Sequence, residues 1–278
     1  MTNAAKKSEH LEILLSTMHK TSLEFLSGMF STNNYSDINI LVVNQTNETD
    51  LLTSKTKNIK VVNSFEKGLP QSRNIAIDKA SEAICLIADD DVKYVDNFKE
   101  IILSAFKKYE DADIITFQMN DDEGQLFRDY QDIVKHNKDT IYTANSVVIA
   151  FRLKSVKETV SFNPYFGLGA KFQVGNEFVF LRNAFEAGLL IYFEPKVILS
   201  HPKFSSGQDA ASDRIIYGRS ALYYKYYGQR SYFRIAKHIF RTFMSGKLPL
   251  SKLIQKYRMA LKGINDYKLL LKEGIETR

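Results

Sequence analysis

Between residues 11 and 119 the chain alternates at short intervals between two hydrophobic patterns, and few folds can absorb that alternation. "LEILLS" (11–16), "INILVVN" (38–44), "IKVVN" (59–63), "EAICLIA" (82–88) and "ADIITFQM" (112–119) are short apolar runs that read as strands. Helix-like stretches separate several of them. "SLEFLSGMF" (22–30) is opened by Thr21 or Ser22, "LPQSRNIAIDKA" (69–80) has Pro70 at its start, and "DNFKEIILSAFKKY" (96–109) has Asp96 as its expected N-cap. Continuous apolar runs mark strands buried on both faces, and parallel strands need crossover helices to join them. The expectation is therefore an α/β fold, a mostly parallel Rossmann-like sheet with flanking helices. Ligands of such sheets bind in the crevice beyond the strand C-terminal ends.

The second half is less regular. "SVVIAFR" (146–152) reads as a strand and "FNPYFGLGAKFQVG" (162–175) as an aromatic, glycine-rich loop. "NEFVFLRNAFEAG" (176–188) is helical and stops at Gly188, followed by two short strands, "LLIYFEP" and "VILSHP". Past Asp213 the pattern is helical, aromatic and basic. Two domains are expected, 9–213 and a basic helical C-terminal extension, 214–278.

Charge sharpens that division. From Arg214 to Asn265 there are twelve Lys or Arg and no Asp or Glu. The total is +6, so residues 1–213 carry −6 and residues 214–278 carry +12. The single cysteine, Cys85, lies in an apolar run; it excludes a disulfide framework and reads as a small buried side chain. "MTNAAKKSEH" lacks the apolar core of a signal peptide, and no apolar run reaches about 18 residues, so a cytoplasmic protein is expected.

"CLIADDDVKY" (85–94) runs an apolar strand into Asp89, Asp90 and Asp91. Adjacent carboxylates repel one another unless something positive lies between them. A divalent cation would resolve that repulsion, since Mg2+ and Mn2+ take carboxylate oxygens together with substrate phosphates. A solvated acidic turn is the alternative. Histidine spacing gives no zinc pair, and glycine spacing supports neither a P-loop nor a dinucleotide fingerprint.

"INILVVN", "KGLPQSRNIAI", "CLIADDDVKY" and "FGLGAKFQVGNEFVFL", in that order and spacing, resemble glycosyltransferase family two enzymes with the GT-A fold, of the bacterial capsular or surface-polysaccharide type. The resemblance covers roughly residues 11–204 and makes 9–213 the catalytic domain. It implies a donor site around Thr17, Asn44, Gln45, Arg73, Asp89 and Asp90. It implies a Mn2+ or Mg2+ site at Asp89 and Asp91, with Asp90 and Asp91 as an alternative register, and His201 as a further ligand. It implies Glu177 as catalytic base, with Asn176, Tyr165 and Phe166 toward the acceptor. Asn44 and Gln45 stand where such enzymes commonly carry two aspartates. Asn176 and Glu177 stand where they carry Glu-Asp.

The expected function is an inverting, metal-dependent transfer of a sugar from a nucleotide-sugar donor, UDP-linked, to a hydroxyl of a growing lipid-linked glycan. A sugar-nucleotide nucleotidyltransferase is the alternative enzyme, although "STMHKTS" (16–22) is a poor phosphate loop. A non-catalytic nucleotide-sugar or polyanion-binding protein is the alternative from another class. The basic, aromatic C-terminal segment implies peripheral contact with the inner face of the membrane, with no nucleic-acid partner; a basic helical cap whose aromatics pack on the acidic body is the alternative.

Overall fold

The structure, a computed structural model, describes residues 10–30, 35–203 and 211–277. The expected first boundary at residue 9, and nearly all of "MTNAAKKSEH", lie outside them. Two compact units make up the chain. The first comprises Met1–Lys67, Gln71–Phe162 and Glu177–Lys203; the second comprises Gly68–Pro70, Asn163–Asn176 and Phe204–Arg278. The second unit thus reaches back beyond the sequence boundary at 213 to take in the 163–176 loop.

In chain order the first unit opens with β1 (Leu11–Met18), α1 (Phe25–Met29), β2 (Asn39–Gln45) and β3 (Ile59–Ser64). Next come α2 (Leu69–Lys79), β4 (Ile84–Asp89), β5 (Lys93–Tyr94), α3 (Phe98–Lys108) and β6 (Ile114–Asn120). β7 (Ile149–Arg152), α4 (Leu153–Lys157), α5 (Asn176–Glu186) and β8 (Ile191–Ser200) complete it. All eight strands form one sheet, ordered β3-β2-β1-β4-β7-β6-β8-β5. β1 to β4 pair in parallel, as do β6 and β8, while β7 and β5 run antiparallel to their neighbours.

The unbroken apolar runs have a direct cause. Successive side chains of a strand point to opposite faces, and both faces here are covered. Ile13, Leu15, Ile40, Val42 and Leu86 share a cluster with Phe98, Ile102 and Phe106 of α3. Their sequence neighbours Leu14, Leu41, Val43, Cys85 and Ile87 share another with Ala76 and Ile77 of α2 and Phe180 and Leu181 of α5. The Cys85 thiol is buried, and burial pushes its pKa well up, away from reactivity. Glu12, buried near the start of β1, is tolerated because its carboxylate accepts the backbone N–H groups of Ser81 and Glu82.

Several local expectations are corrected. The first helix is shorter than the span 22–30 and begins after Glu24. Asn97, not Asp96, precedes α3, and no side chain caps it. The region 146–152 opens as a 3-10 turn, Ser146–Val148, before β7. The two strands expected in 189–202 are one, β8, running through Pro195. α4 and the two-residue β5 were not anticipated.

The second unit carries α6 (Asp213–Tyr227), α7 (Ser231–Met244) and α8 (Leu253–Lys272). Ser212 caps α6 by accepting the N–H of Ile215. Ile216, Ile235, Ile239, Leu248 and Ala260 form its helical core. The 163–176 loop is packed there: Phe166 and Phe172 lie against Tyr267, and Phe172 against Tyr217. Gly263 is where α8 meets α6 backbone to backbone, because a Cβ there would collide with the Tyr217 carbonyl.

Candidate active site

Sheet register gathers the first group of residues. Ser16 of β1 stands beside Asp89 of β4, Thr17 beside Asn44 of β2, and Asn44 beside Asn63 of β3. These positions are the C-terminal ends of four parallel strands, where backbone groups run out of partners and side chains turn toward the crevice.

Each aspartate has its own partner. The Arg73 guanidinium, its side chain only 1% exposed, donates from one terminal nitrogen to both Asp89 oxygens, at 3.0 and 3.1 Å. It lies over the Phe162 ring, 5.4 Å from the centroid. A charge that deep requires a counter-ion, so Asp89 is held by Arg73. Asp90 accepts the Thr17 hydroxyl at 2.6 Å and pairs with the Lys20 ammonium at 3.0 Å. Asp91 faces His201 Nε2 at 3.4 Å. Three adjacent carboxylates are therefore compatible because a guanidinium, an ammonium and an imidazole arrive from three different elements.

The Asp91–His201 pair depends on the smallest strand. β5 pairs antiparallel with β8, setting Lys93 opposite Ser200, so Asp91 two residues earlier meets His201 one residue later. The His201 backbone N–H is fixed on the Asn120 carbonyl, and its ring packs edge-on against Phe127. Nδ1 lies 2.7 Å from the Pro202 carbonyl and donates to it. Nε2 is then the nitrogen turned to Asp91, donating when the ring is charged and offering a lone pair when it is neutral. The pairing with His201 holds the Asp91 carboxyl below its usual range, and Asp91 pushes the imidazole up.

Asn44 and Gln45 are buried. The Asn44 amide is taken up within the protein: it accepts the Lys20 N–H and donates to the Lys20 carbonyl and to Asn63 Oδ1. Asn63 in turn grips both backbone groups of Leu52. Asn44 therefore acts on the site through Lys20. Asn74 holds the N–H and C=O of Phe162 in the manner of a strand neighbour, which keeps that ring beneath Arg73.

Glu177 stands in the first turn of α5, half-buried, and no hydrogen-bond or ion-pair partner holds its carboxylate among the described residues. In the second unit Asn176 is buried and donates to the Phe166 carbonyl, closing the glycine-rich loop. Gly167 is required under that bond: its φ is +134°, and a Cβ would strike the Asn176 side chain. Phe166 is fully buried between Phe172 and Tyr267. Its ring, expected to offer a sugar a stacking face, is here in tilted contact with two aromatic neighbours. Tyr165 is half-buried.

Sequence reasoning missed Lys20 and Asn63. The signal for Lys20 lay in "STMHKTS", where a lysine follows the first strand, but the glycine-poor loop hid it. Asn63 reads in sequence as the last residue of a strand; only the register shows its amide meeting that of Asn44.

An α/β sheet with charged side chains clustered at the C-terminal ends of its strands has a ligand crevice there. Residues 20–188 match the family described as "Glycosyl transferase family 2", and the chain belongs to that family. It is a glycosyltransferase, and its fold is the GT-A Rossmann-like sheet that the motifs implied. Among curated protein sequences none gives a significant match. Among solved structures it is similar to residues 1–349 of TarS from S. aureus, at 12% identity and TM-score 0.54, over 97% of this chain and 93% of that one. The same fragment in complex with UDP-GlcNAc matches at 12% identity and TM-score 0.56, over 95% and 92%. The mannosyltransferase PcManGT from Pyrobaculum calidifontis, in complex with GDP-Man and Mn2+, matches at 13% identity and TM-score 0.53, over 94% and 85%. At such identities the likeness is one of fold. Family and fold together support transfer from a nucleotide-sugar donor.

Proposed function

We propose that this glycosyltransferase is an inverting, metal-dependent enzyme that moves a sugar from a UDP-linked donor to a hydroxyl of a growing, lipid-linked surface glycan. The carrying observation is the aspartate cluster at the end of β4, in which Asp91 and His201 converge while Asp89 and Asp90 are already neutralised. Uridine as the base draws support from the TarS fragment, whose solved complexes carry UDP and UDP-GlcNAc.

Mn2+ or Mg2+ fits the donor set at Asp91 and His201. A carboxylate oxygen and an imidazole nitrogen face each other, and the second ring nitrogen is anchored on a backbone carbonyl, as histidine ligands commonly are. Among the described residues no group of three or more His, Cys, Asp or Glu is arranged to hold a metal. An ion held by Asp91 and His201 would take its remaining ligands from donor phosphates and water. When bound, the ion supplies Lewis-acid stabilisation of the departing nucleotide diphosphate.

The chain's own side chains do the rest. Arg73, buried and locked on Asp89, fixes that carboxylate at the end of the strand. Lys20, about one-third exposed, can exchange Asp90 for a phosphate oxygen without being deeply desolvated. Glu177 takes the proton of the acceptor hydroxyl as that oxygen bonds to C1 of the sugar. The bond from C1 to the donor phosphate oxygen breaks in the same step, the electron pair leaving with UDP, and C1 inverts. With no partner among the described residues, the Glu177 carboxylate is left to meet the acceptor hydroxyl.

Glu177→Gln keeps the shape and removes the proton acceptor. Release of UDP from a UDP-sugar in the presence of acceptor is expected to fall by roughly two to four orders of magnitude. Affinity for UDP with Mn2+ should hold. Near-normal turnover by this variant would reassign Glu177 to a structural role.

A further inference from the structure

In the second unit the basic C-terminal helices expose an apolar stripe. Phe233, Phe240 and Met244 recur on α7 at spacings of seven and four residues, which puts them on one line of the helix. They are 74%, 57% and 67% exposed. The opposite line, Ile235, Ile239 and Thr242, is buried in the core of the unit. Leu250 and Ile254, in the turn into α8 and its start, are 68% and 70% exposed. The same helix exposes Arg234, Lys237 and Arg241, with Lys237 inside the apolar stripe itself.

We propose that this outer face of α7 is the docking surface for an anionic lipid bilayer. The inference narrows the membrane contact expected of the whole segment to one helix face. The tyrosines of "ALYYKYYGQR" are not part of it: Tyr224 is buried, and Tyr223, Tyr226 and Tyr227 are half-buried. Solvent-facing phenylalanine and methionine cost free energy that burial in the acyl boundary recovers, while lysine and arginine stems reach out to headgroups. Charge selects the occupant. With no acid between Arg214 and Asn265, two copies of this face repel each other, whereas an anionic leaflet attracts it. The inference rests on the transferase reading for its purpose, which is to hold the enzyme where a lipid-linked acceptor lies. Its chemistry is independent of that reading.

The test is co-sedimentation of the full chain with vesicles of phosphatidylcholine, with or without phosphatidylglycerol. Binding is expected only with the anionic lipid, falling as salt rises. Phe240→Ser with Met244→Ser should abolish it. Lys237→Gln or Arg241→Gln should each weaken partitioning about five-fold. These positions are exposed, so melting temperature and UDP affinity with Mn2+ should match the wild type. Equal binding to both vesicle types, or variants that bind as well as the wild type, would overturn the proposal. So would a solution dimer that Phe240→Ser dissociates, or retention on RNA without retention on vesicles. Vesicle binding by a protein that binds no nucleotide would instead remove the transferase mechanism and leave the docking surface standing.

Discussion

Asp89 and Asp91 are two residues apart and carry the same carboxylate, yet their partners give them different duties. Asp89 neutralises a guanidinium that is almost wholly buried, so its removal strands a charge. Asp89→Ala is expected to cost on the order of 2–4 kcal/mol in a urea unfolding experiment, whatever it does to activity. Asp91, half-exposed, pairs with a largely buried histidine. Asp91→Asn should leave stability within about 0.5 kcal/mol of wild type, while removing the Mn2+ dependence of UDP binding measured by thermal shift. Equal destabilisation by the two substitutions would show that the cluster acts as one structural unit. The motifs singled out all three aspartates and Arg73 as candidates. They did not reveal which carboxylate is spoken for, because Arg73, Lys20 and His201 lie 16, 70 and 110 residues from their partners.

Elements with a strong local period were readable, and elements that exist only by pairing were not. β1 to β4 and β6 are apolar runs that announce themselves. β5 is two residues long and owes its existence to the end of β8. α6 and α8 were foreseen only as a helical region, but their packing turns on Gly263, whose lack of a side chain lets α8 lie on the Tyr217 carbonyl. Gly263→Ala adds a methyl where the obstacle is backbone, so the helices must move apart. A loss of about 1–3 kcal/mol is expected despite alanine's better helix propensity. Urea unfolding followed by circular dichroism reads it, and a variant as stable as wild type would mean that this helix pair is loosely packed.

At the scale of the whole molecule, stability is tied to pH through a histidine far from the catalytic cluster in sequence. His136 is buried between the hydroxyls of Thr116 and Thr140, and burial lowers its pKa to about 4. The unfolded chain takes up that proton near pH 6.5, the folded chain only near 4. The unfolded state therefore binds more protons in that window, and stability falls as pH drops from about 6.5 to about 4. Where fully developed, the slope from this one group is about 1.4 kcal/mol per pH unit. Comparing wild type with His136→Asn isolates it: the wild type should lose more stability than the variant over that interval. Parallel pH profiles would show that the imidazole is solvated.

Strand periodicity, crossover spacing, four ordered motifs and the uneven charge are local or additive properties, so the amino-acid sequence alone determined the α/β sheet, the family and the basic C-terminal segment. Tertiary structure decided what depends on distance through space. It buried Phe166 among other aromatic rings, turned Asn44 inward to hold Lys20, and brought His201 to Asp91. It also separated the aromatics of the C-terminal segment into packed tyrosines and an exposed line on α7. A residue's type sets which interactions it can make; the neighbours that arrive from distant elements set which of them it does make.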